Sequence, residues 1–276
     1  MDSVIYNIPA RMVEAFAGRR VIVRSSDADE IVQHLSQEAS LENVLYVQLL
    51  SLNGEVEALS RWAEPLPIDL VMRDPAQEFP LLYNFSKLQD KHPVRVSITV
   101  RSGFVKAVKL ALALNFAVKL EVGQPDPALV EEMAEVLDLY LHRTNVAQPV
   151  EYFHSIFLSL YHQEPSSLWL IQEEDPEQFR FITDEGEETV SERFAGSYLK
   201  DQTGAIVREQ SVAPPDEKSE CDACEFFAYC GGYFKWPDKE FSCEGVKTLF
   251  GTLNIAAAEL RSDVNAFLLA QGGVQP

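Results

Sequence analysis

Between residues 19 and 145 the sequence alternates short β-branched runs with helical patterns, and this alternation limits the fold more than any other feature. "RRVIVRSS" (19–26) reads as a strand, and "DADEIVQHLSQEA" (27–39) as a helix with Asp27 at its N-cap. "NVLYVQLLSL" (43–52) and "IDLVMR" (68–73) read as strands, then "PAQEFPLLYNFSKLQDKH" (75–92) as a helix with Pro80 disturbing its first turns. "VRVSITV" (94–100) is a strand, Ser102 the cap of the helix "GFVKAVKLALAL" that Asn115 ends, and "AVKLEVG" (117–123) a strand. "DPALVEEMAEVLDLYLHRTN" (126–145) closes the series as a helix, with Asp126 at N-cap, Pro127 at N1, and Leu129, Met133, Val136 and Tyr140 on one face.

Such a rhythm predicts the α/β class, with parallel strands wrapped by helices. An open doubly wound sheet and a partial (β/α) barrel both satisfy it. No G-x-G-x-x-G follows a strand and no P-loop is present, so the usual nucleotide-binding readings of such a sheet have no support.

Beyond residue 149 the rhythm changes. "VEYFHSIFLSLYHQ" (150–163) reads as a helix, and "SLWLIQ" (167–172) and "QFRFITDEG" (178–186) as strands, the second ending in a turn. The acidic run from Asp184 to Glu188 reads as a solvated turn rather than a metal site. "SVAPPDEKSE" (211–220), rich in proline and charge, reads as a linker, which divides the chain into 1–210 and 211–276. In "VKTLFGTLNIAAAELRSDVNAFLLAQGG" (246–273), Leu249, Leu253, Leu260, Val264 and Phe267 share a helical stripe, expected to pack on the core.

Lys and Arg total 23 against 43 Asp and Glu, a net charge of −20. A surface this acidic repels nucleic acid and anionic membranes, so neither is an expected partner. The opening "MDSVIYNIPARMVEAFAGRR" lacks the apolar run of a secretory signal, and "VKLALALNFAVKL" (108–120) carries lysines and is too short to span a bilayer. The expectation is a soluble, cytoplasmic protein.

All four cysteines fall between 221 and 243, with spacing C-x2-C-x5-C-x12-C: Cys221, Cys224, Cys230 and Cys243. Disulfides rarely persist in the cytosol, so clustered cysteines there point to metal. Four thiolates can hold one iron–sulfur cluster or tetrahedrally ligate one Zn2+. Zinc ribbons usually show two C-x2-C pairs, whereas the second pair here is C-x12-C. The glycines at 231 and 232 permit a tight turn that places backbone N–H groups beside Cys230, where they could hydrogen-bond to sulfur. Phe226, Phe227, Tyr229, Tyr233, Phe234 and Trp236 are expected to form the core of this module and shield the metal, with some rings available to dock a peptide.

"CDACEFFAYCGGYF" followed by Cys243 resembles the C-terminal half of the SPASM domain of radical SAM peptide-maturing enzymes. The family pattern is C-x2-C-x5-C-x3-C, then a gap and a last cysteine. Cys221, Cys224 and Cys230 match the first three positions and Cys243 the last, but the x3 position falls on Phe234. The resemblance implies that these four cysteines bind one auxiliary [4Fe–4S] cluster and that the other auxiliary cluster is lost. Radical SAM enzymes also carry a C-x3-C-x2-C trio after the first barrel strand. No cysteine precedes 221, so the resemblance implies that 1–210 is a degenerate barrel unable to start radical chemistry. The implied role is that of a non-catalytic accessory protein, with a precursor peptide or a radical SAM enzyme as partner.

A zinc-stabilised scaffold and a small-molecule enzyme using the sheet's C-terminal crevice are the other readings. No residue set supports the enzyme. Of the histidines His34, His92, His142, His154 and His162, His34, His142 and His154 sit inside helical patterns, His154 and His162, eight apart, share a face only loosely, and neither H-E-x-x-H nor G-x-S-x-G occurs. No catalytic residue is assigned.

Overall fold

A computed structural model describes residues 4–36, 41–54, 56–62, 65–143, 147–194, 198–200, 206–208 and 220–270. The chain is of the α/β class. Strands β1 (Ile5–Pro9), β2 (Arg20–Ser25), β3 (Val44–Leu49), β4 (Ile68–Met72), β5 (Val94–Thr99), β6 (Ala117–Glu121) and β7 (Val150–Glu151) lie side by side in sequence order, each parallel to the next. β8 (Phe179–Ile182) does not continue past β7. It pairs in parallel with β1, and β9 (Glu188–Thr189) closes antiparallel on β8. Among the described residues β7 and β9 are the two edges, and the sheet is not closed into a barrel. A separate antiparallel pair joins β10 (Tyr198–Lys200) and β11 (Ile206–Arg208).

Alternation within the strands assigns the two faces of the sheet. Val94, Val96 and Ile98 of β5 and Val118 and Leu120 of β6 are buried in the main core, as are Phe104, Ala107, Val108 and Ala111 of the helix above them. The intervening residues Asp69, Arg95, Ser97 and Lys119 face the other way and build the polar face described below.

The connecting helices are α1 (Ala28–Ser36), α2 (Glu57–Arg61), α3 (Pro75–Glu78), α4 (Phe104–Ala113), α5 (Pro127–His142), α6 (Phe153–His162) and α7 (Leu168–Ile171). Asp27 caps α1 by accepting from the Asp29 N–H at 2.8 Å, and Asp126 caps α5 from Leu129 at 2.9 Å. In the C-terminal region α8 (Phe227–Cys230) is one turn, and α9 (Glu244–Ala270) is the longest helix.

Several local expectations are corrected. The segment 75–92 is α-helical only over α3. From Phe79 to Asp90 it winds as a 3-10 helix, with Pro80 in its first turn. Ser102 makes no capping bond. Gly103, with φ +92°, holds the N-cap of α4, where a Cβ would come within 2.8 Å of Ala76 Cα. "SLWLIQ" is the helix α7 rather than a strand, and "VEYFHSIFLSLYHQ" begins with β7 before α6. The stripe on α9 is core only in its first half. Leu249 and Leu253 are buried, whereas Leu260 is 42% and Phe267 61% exposed. Of the expected linker, only Glu220 lies within the described residues. No helix among the described residues is long and apolar enough to cross a membrane.

Candidate metal centre

The C-x2-C start of the cysteine stretch is a turn: the Cys224 N–H donates to the Cys221 carbonyl at 3.1 Å, and the Phe227 N–H to that of Cys224 at 3.1 Å. α8 then carries Cys230, and two glycines in the left-handed region, Gly231 (φ +60°) and Gly232 (φ +76°), stop it. Gly231 is also a close approach, since a Cβ there would meet Ser167 and Trp169 at 3.2 Å. The Trp169 indole N–H fixes that approach by donating to the Gly231 carbonyl at 2.9 Å. After this turn the backbone N–H groups of Phe234, Tyr233 and Gly232 are directed at the Cys230 sulfur. Cys243 stands just ahead of α9, where its carbonyl accepts from the Lys247 N–H.

These elements bring Cys221, Cys224, Cys230 and Cys243 onto a single pocket. None of the four is in a disulfide. Phe226, Phe227, Phe234 and Phe250 wall the pocket, with the Phe226 and Phe250 rings stacked at 5.5 Å. Phe234, at the position where the SPASM pattern has a cysteine, is 1% exposed and lines this same pocket. Of the six expected shielding aromatics, Tyr233 and Trp236 instead turn toward the sheet: Tyr233 donates to the Val122 carbonyl at 2.8 Å, and Trp236 to the Arg193 carbonyl at 2.8 Å. Tyr229 is half-buried against the core.

The pocket contains charges that the cysteine spacing did not announce. Glu220 pairs with Lys247 at 3.2 Å and with the nearly buried Lys235 at 3.4 Å, and accepts from the Cys243 N–H at 3.3 Å. Burial pushes the Cys243 thiol up to about 12, and a hydrogen bond to Glu220 adds to the rise. Burial raises the Cys230 thiol as well, against the pull of the three N–H groups. Both are therefore neutral thiols in the metal-free chain at neutral pH. Metal binding would release their protons and replace them with a cation.

The donor set fits a sulfur-ligated centre: four thiols, N–H donors at one sulfur, a largely aromatic wall and two lysines to offset negative charge. The pocket that they line has a volume of about 20 Å³. Among the described residues no group of three or more His, Cys, Asp or Glu side chains is arranged to hold a metal ion. The thiols thus share a pocket without being drawn to ligating positions.

The polar face of the sheet forms a second site. Asp69, 1% exposed, accepts from Gln48, Arg95 and Ser97 at 2.8–3.0 Å. Glu173 follows α7 with φ +62° and reaches across to Lys119 at 2.6 Å, Tyr46 at 2.8 Å and Arg95 at 3.3 Å. Burial alone would raise its carboxyl, but Lys119 and Arg95 hold it at about 2. A cavity of about 740 Å³ opens beside this network, lined by Arg24, Gln48, Arg73, Glu121 and Glu174 among others. Burial raises the Glu121 carboxyl, and Thr99 donates to it at 3.3 Å.

The two sites adjoin. Tyr233 presents its N–H to Cys230 and its hydroxyl to Glu174 on the cavity wall, and Arg193 lies over the Tyr233 ring at 3.8 Å. The histidines take no part. His92 is bonded on both ring nitrogens to backbone carbonyls of Leu66 and Leu59, and His154 pairs with Tyr140. No protein-family model matches the chain, and neither a curated protein nor a solved structure matches it.

Proposed function

We propose that this chain is a SPASM-type metal–thiolate protein without radical-initiating machinery, an accessory protein that holds one [4Fe–4S] cluster on Cys221, Cys224, Cys230 and Cys243. The observation that carries this reading is the convergence of all four cysteines of the chain on one pocket. The strand order supports kinship with a (β/α) barrel. In a closed eight-stranded barrel each strand neighbours the next and the eighth returns to the first. Here β8 does return to β1, but its other side carries the antiparallel β9, and among the described residues β7 and β8 do not pair. The loop after β1, residues 10–19, contains no cysteine, so the chain has no ligands there for an initiating cluster.

When bound, the cluster could be structural or could relay one electron to a partner. The chain's own residues would hold it: the N–H groups of Gly232, Tyr233 and Phe234 would stabilise charge on the Cys230 sulfur, the phenylalanines would limit access of water, and Lys235 and Lys247 would offset negative charge. A peptide or a radical SAM enzyme is the proposed partner, with the cavity beside Tyr233 the proposed seat for a peptide segment.

The same four thiols in one pocket also admit a second reading, a single Zn2+ that stabilises the module without redox chemistry. Purification without oxygen, followed by iron, sulfide and zinc analysis and an absorption spectrum, separates the two. About four irons and four sulfides per chain with a brown band bleached by dithionite support the cluster. One zinc and no colour would replace it with the scaffold.

A further inference from the structure

The cavity of about 740 Å³ beside the sheet carries two charged side chains that the rest of the chain leaves uncompensated, Arg24 and Glu121. Arg24 of β2 is half-buried, and its guanidinium is bonded to neutral oxygens. Nη1 donates to the backbone carbonyl and the side-chain Oδ1 of Asn7, each at 2.7 Å, and Nη2 donates to the Ile182 carbonyl. A guanidinium has five N–H donors, so donor capacity remains. Among the described residues no carboxylate lies within ion-pair distance of Arg24, and Asp184, also on the cavity wall, pairs instead with Arg11 at 3.0 Å. The place of Arg24 is fixed through Asn7, which donates to Gln48 at 2.7 Å, and Gln48 donates to the buried Asp69 at 2.9 Å.

Glu121, at the end of β6, is the counterpart of opposite sign. Its carboxylate accepts from Thr99 at 3.3 Å and has no cation within ion-pair distance among the described residues. Lys119, two positions back on the same face of the strand, is committed to Glu173 at 2.6 Å and to the Gln172 carbonyl at 3.2 Å. Partly buried charges without partners are unfavourable, so a fixed cation and a fixed anion on one cavity wall define a ligand that carries both signs. The volume lies in the upper part of the range for pockets that enclose drug-sized ligands, which is the bulk of a few residues rather than one.

Resting on the reading of this cavity as a peptide seat, and on nothing in the cysteine pocket, we propose that the peptide enters by its C-terminal end, its free α-carboxylate pairing with Arg24 and a lysine or arginine side chain with Glu121. The planar fork of arginine matches a carboxylate, and the bonds through Asn7 and Gln48 hold it in place before the ligand arrives. Arg73, after β4, also lines the cavity without a carboxylate partner among the described residues, and its charge adds to the attraction for the carboxylate.

Calorimetric titration of the whole chain with N-acetylated alanine tripeptides, each carrying one lysine placed in turn at every position, tests the proposal. The acetyl group leaves the C-terminal carboxylate as the only anion of the probe. For at least one placement the free acid should bind about tenfold more tightly than its C-terminal amide, the low end for a hydrogen bond between charged groups. Arg24→Gln should bring acid and amide to equal affinity, and Arg24→Lys should restore part of the preference. Glu121→Gln should reduce the lysine tripeptide to the affinity of the same tripeptide with glutamine, while keeping the preference for acid over amide. The acid–amide comparison on the wild type needs no variant to fold. Equal binding of acid and amide there would overturn the C-terminal docking and leave the peptide seat standing. Free lysine binding as tightly as the tripeptides would replace the peptide end with a small zwitterion. A wild type that binds none of the tripeptides would overturn both the docking and the peptide seat.

Discussion

The hydroxyl of Tyr233 lies 2.8 Å from the Glu174 carboxylate, joining the cysteine module to the wall of the cavity over the sheet. The same hydroxyl also reaches the Val122 carbonyl, and Tyr233 is 1% exposed. Tyr233→Phe removes the donor from two acceptors and should cost about 1–3 kcal/mol in urea unfolding. The N–H that faces Cys230 belongs to the backbone, so metal stoichiometry should be unchanged. Loss of bound metal in this variant would show that the two sites are coupled more tightly than one hydrogen bond.

Glu173 sets an acid limit on stability. Its folded value of about 2 lies below the ordinary glutamate value of about 4.3, so its contribution is complete above that value and is lost as the pH falls toward 2. Glu173→Gln leaves Lys119, whose side chain is 6% exposed, without its counter-charge and should destabilise by about 3–5 kcal/mol at neutral pH. Urea midpoints of the two proteins should converge between pH 5 and pH 2. A gap that stays constant across that range would show that the carboxylate is not held low.

Single Cys→Ser substitutions at 221, 224, 230 and 243 should each reduce bound metal, and chelation should destabilise the region around 220–250 rather than the sheet. Hydrogen exchange with and without chelator localises the effect. A variant that retains full metal removes that cysteine from the ligand set.

Helix starts provide a paired control. Asp126→Ala deletes an observed cap and should cost about 1 kcal/mol, whereas Ser102→Ala deletes none and should stay within about 0.5 kcal/mol. Gly103→Ala should exceed both, since it forces a Cβ onto Ala76 at positive φ.

The two halves of α9 should respond very differently. Leu253→Ala should cost about 2–5 kcal/mol as a cavity in the core, whereas Leu269→Ala, at a side chain 78% exposed, should be nearly neutral in thermal unfolding.

What was legible in the sequence follows the physics of each segment. Strands β2 to β6 were readable because each is a run of five or six residues rich in Val, Ile and Leu, strictly alternating in β5 (Val94, Val96, Ile98), and a cap marked α5. β7 has only two residues, too few for any period to register, and β1 places the buried polar Asn7 where alternation offers no cue. α7 was misread because its residues have β-type side chains, while tertiary bonds decide its conformation: Trp169 to Gly231, and Gln172 to the Leu120 carbonyl at 3.0 Å. The clustering of the four cysteines suggested the pocket that they share, and the glycine turn at Cys230 was legible too. Glu220 and Lys247 were not, because nothing local marks a partner brought in from another part of the chain. The ion network on the sheet was hidden for the same reason, since Glu173 meets Arg95 across 78 positions of sequence.

The open sheet has a consequence for behaviour at high concentration. A sheet with two free margins ordinarily offers each as a template on which another molecule can add a strand. Among the described residues both margins are two-residue strands, β7 and β9, and each carries a glutamate, Glu151 and Glu188. Brevity and like charge thus protect the molecule from stacking margin to margin, a safeguard that closed sheets obtain from geometry alone.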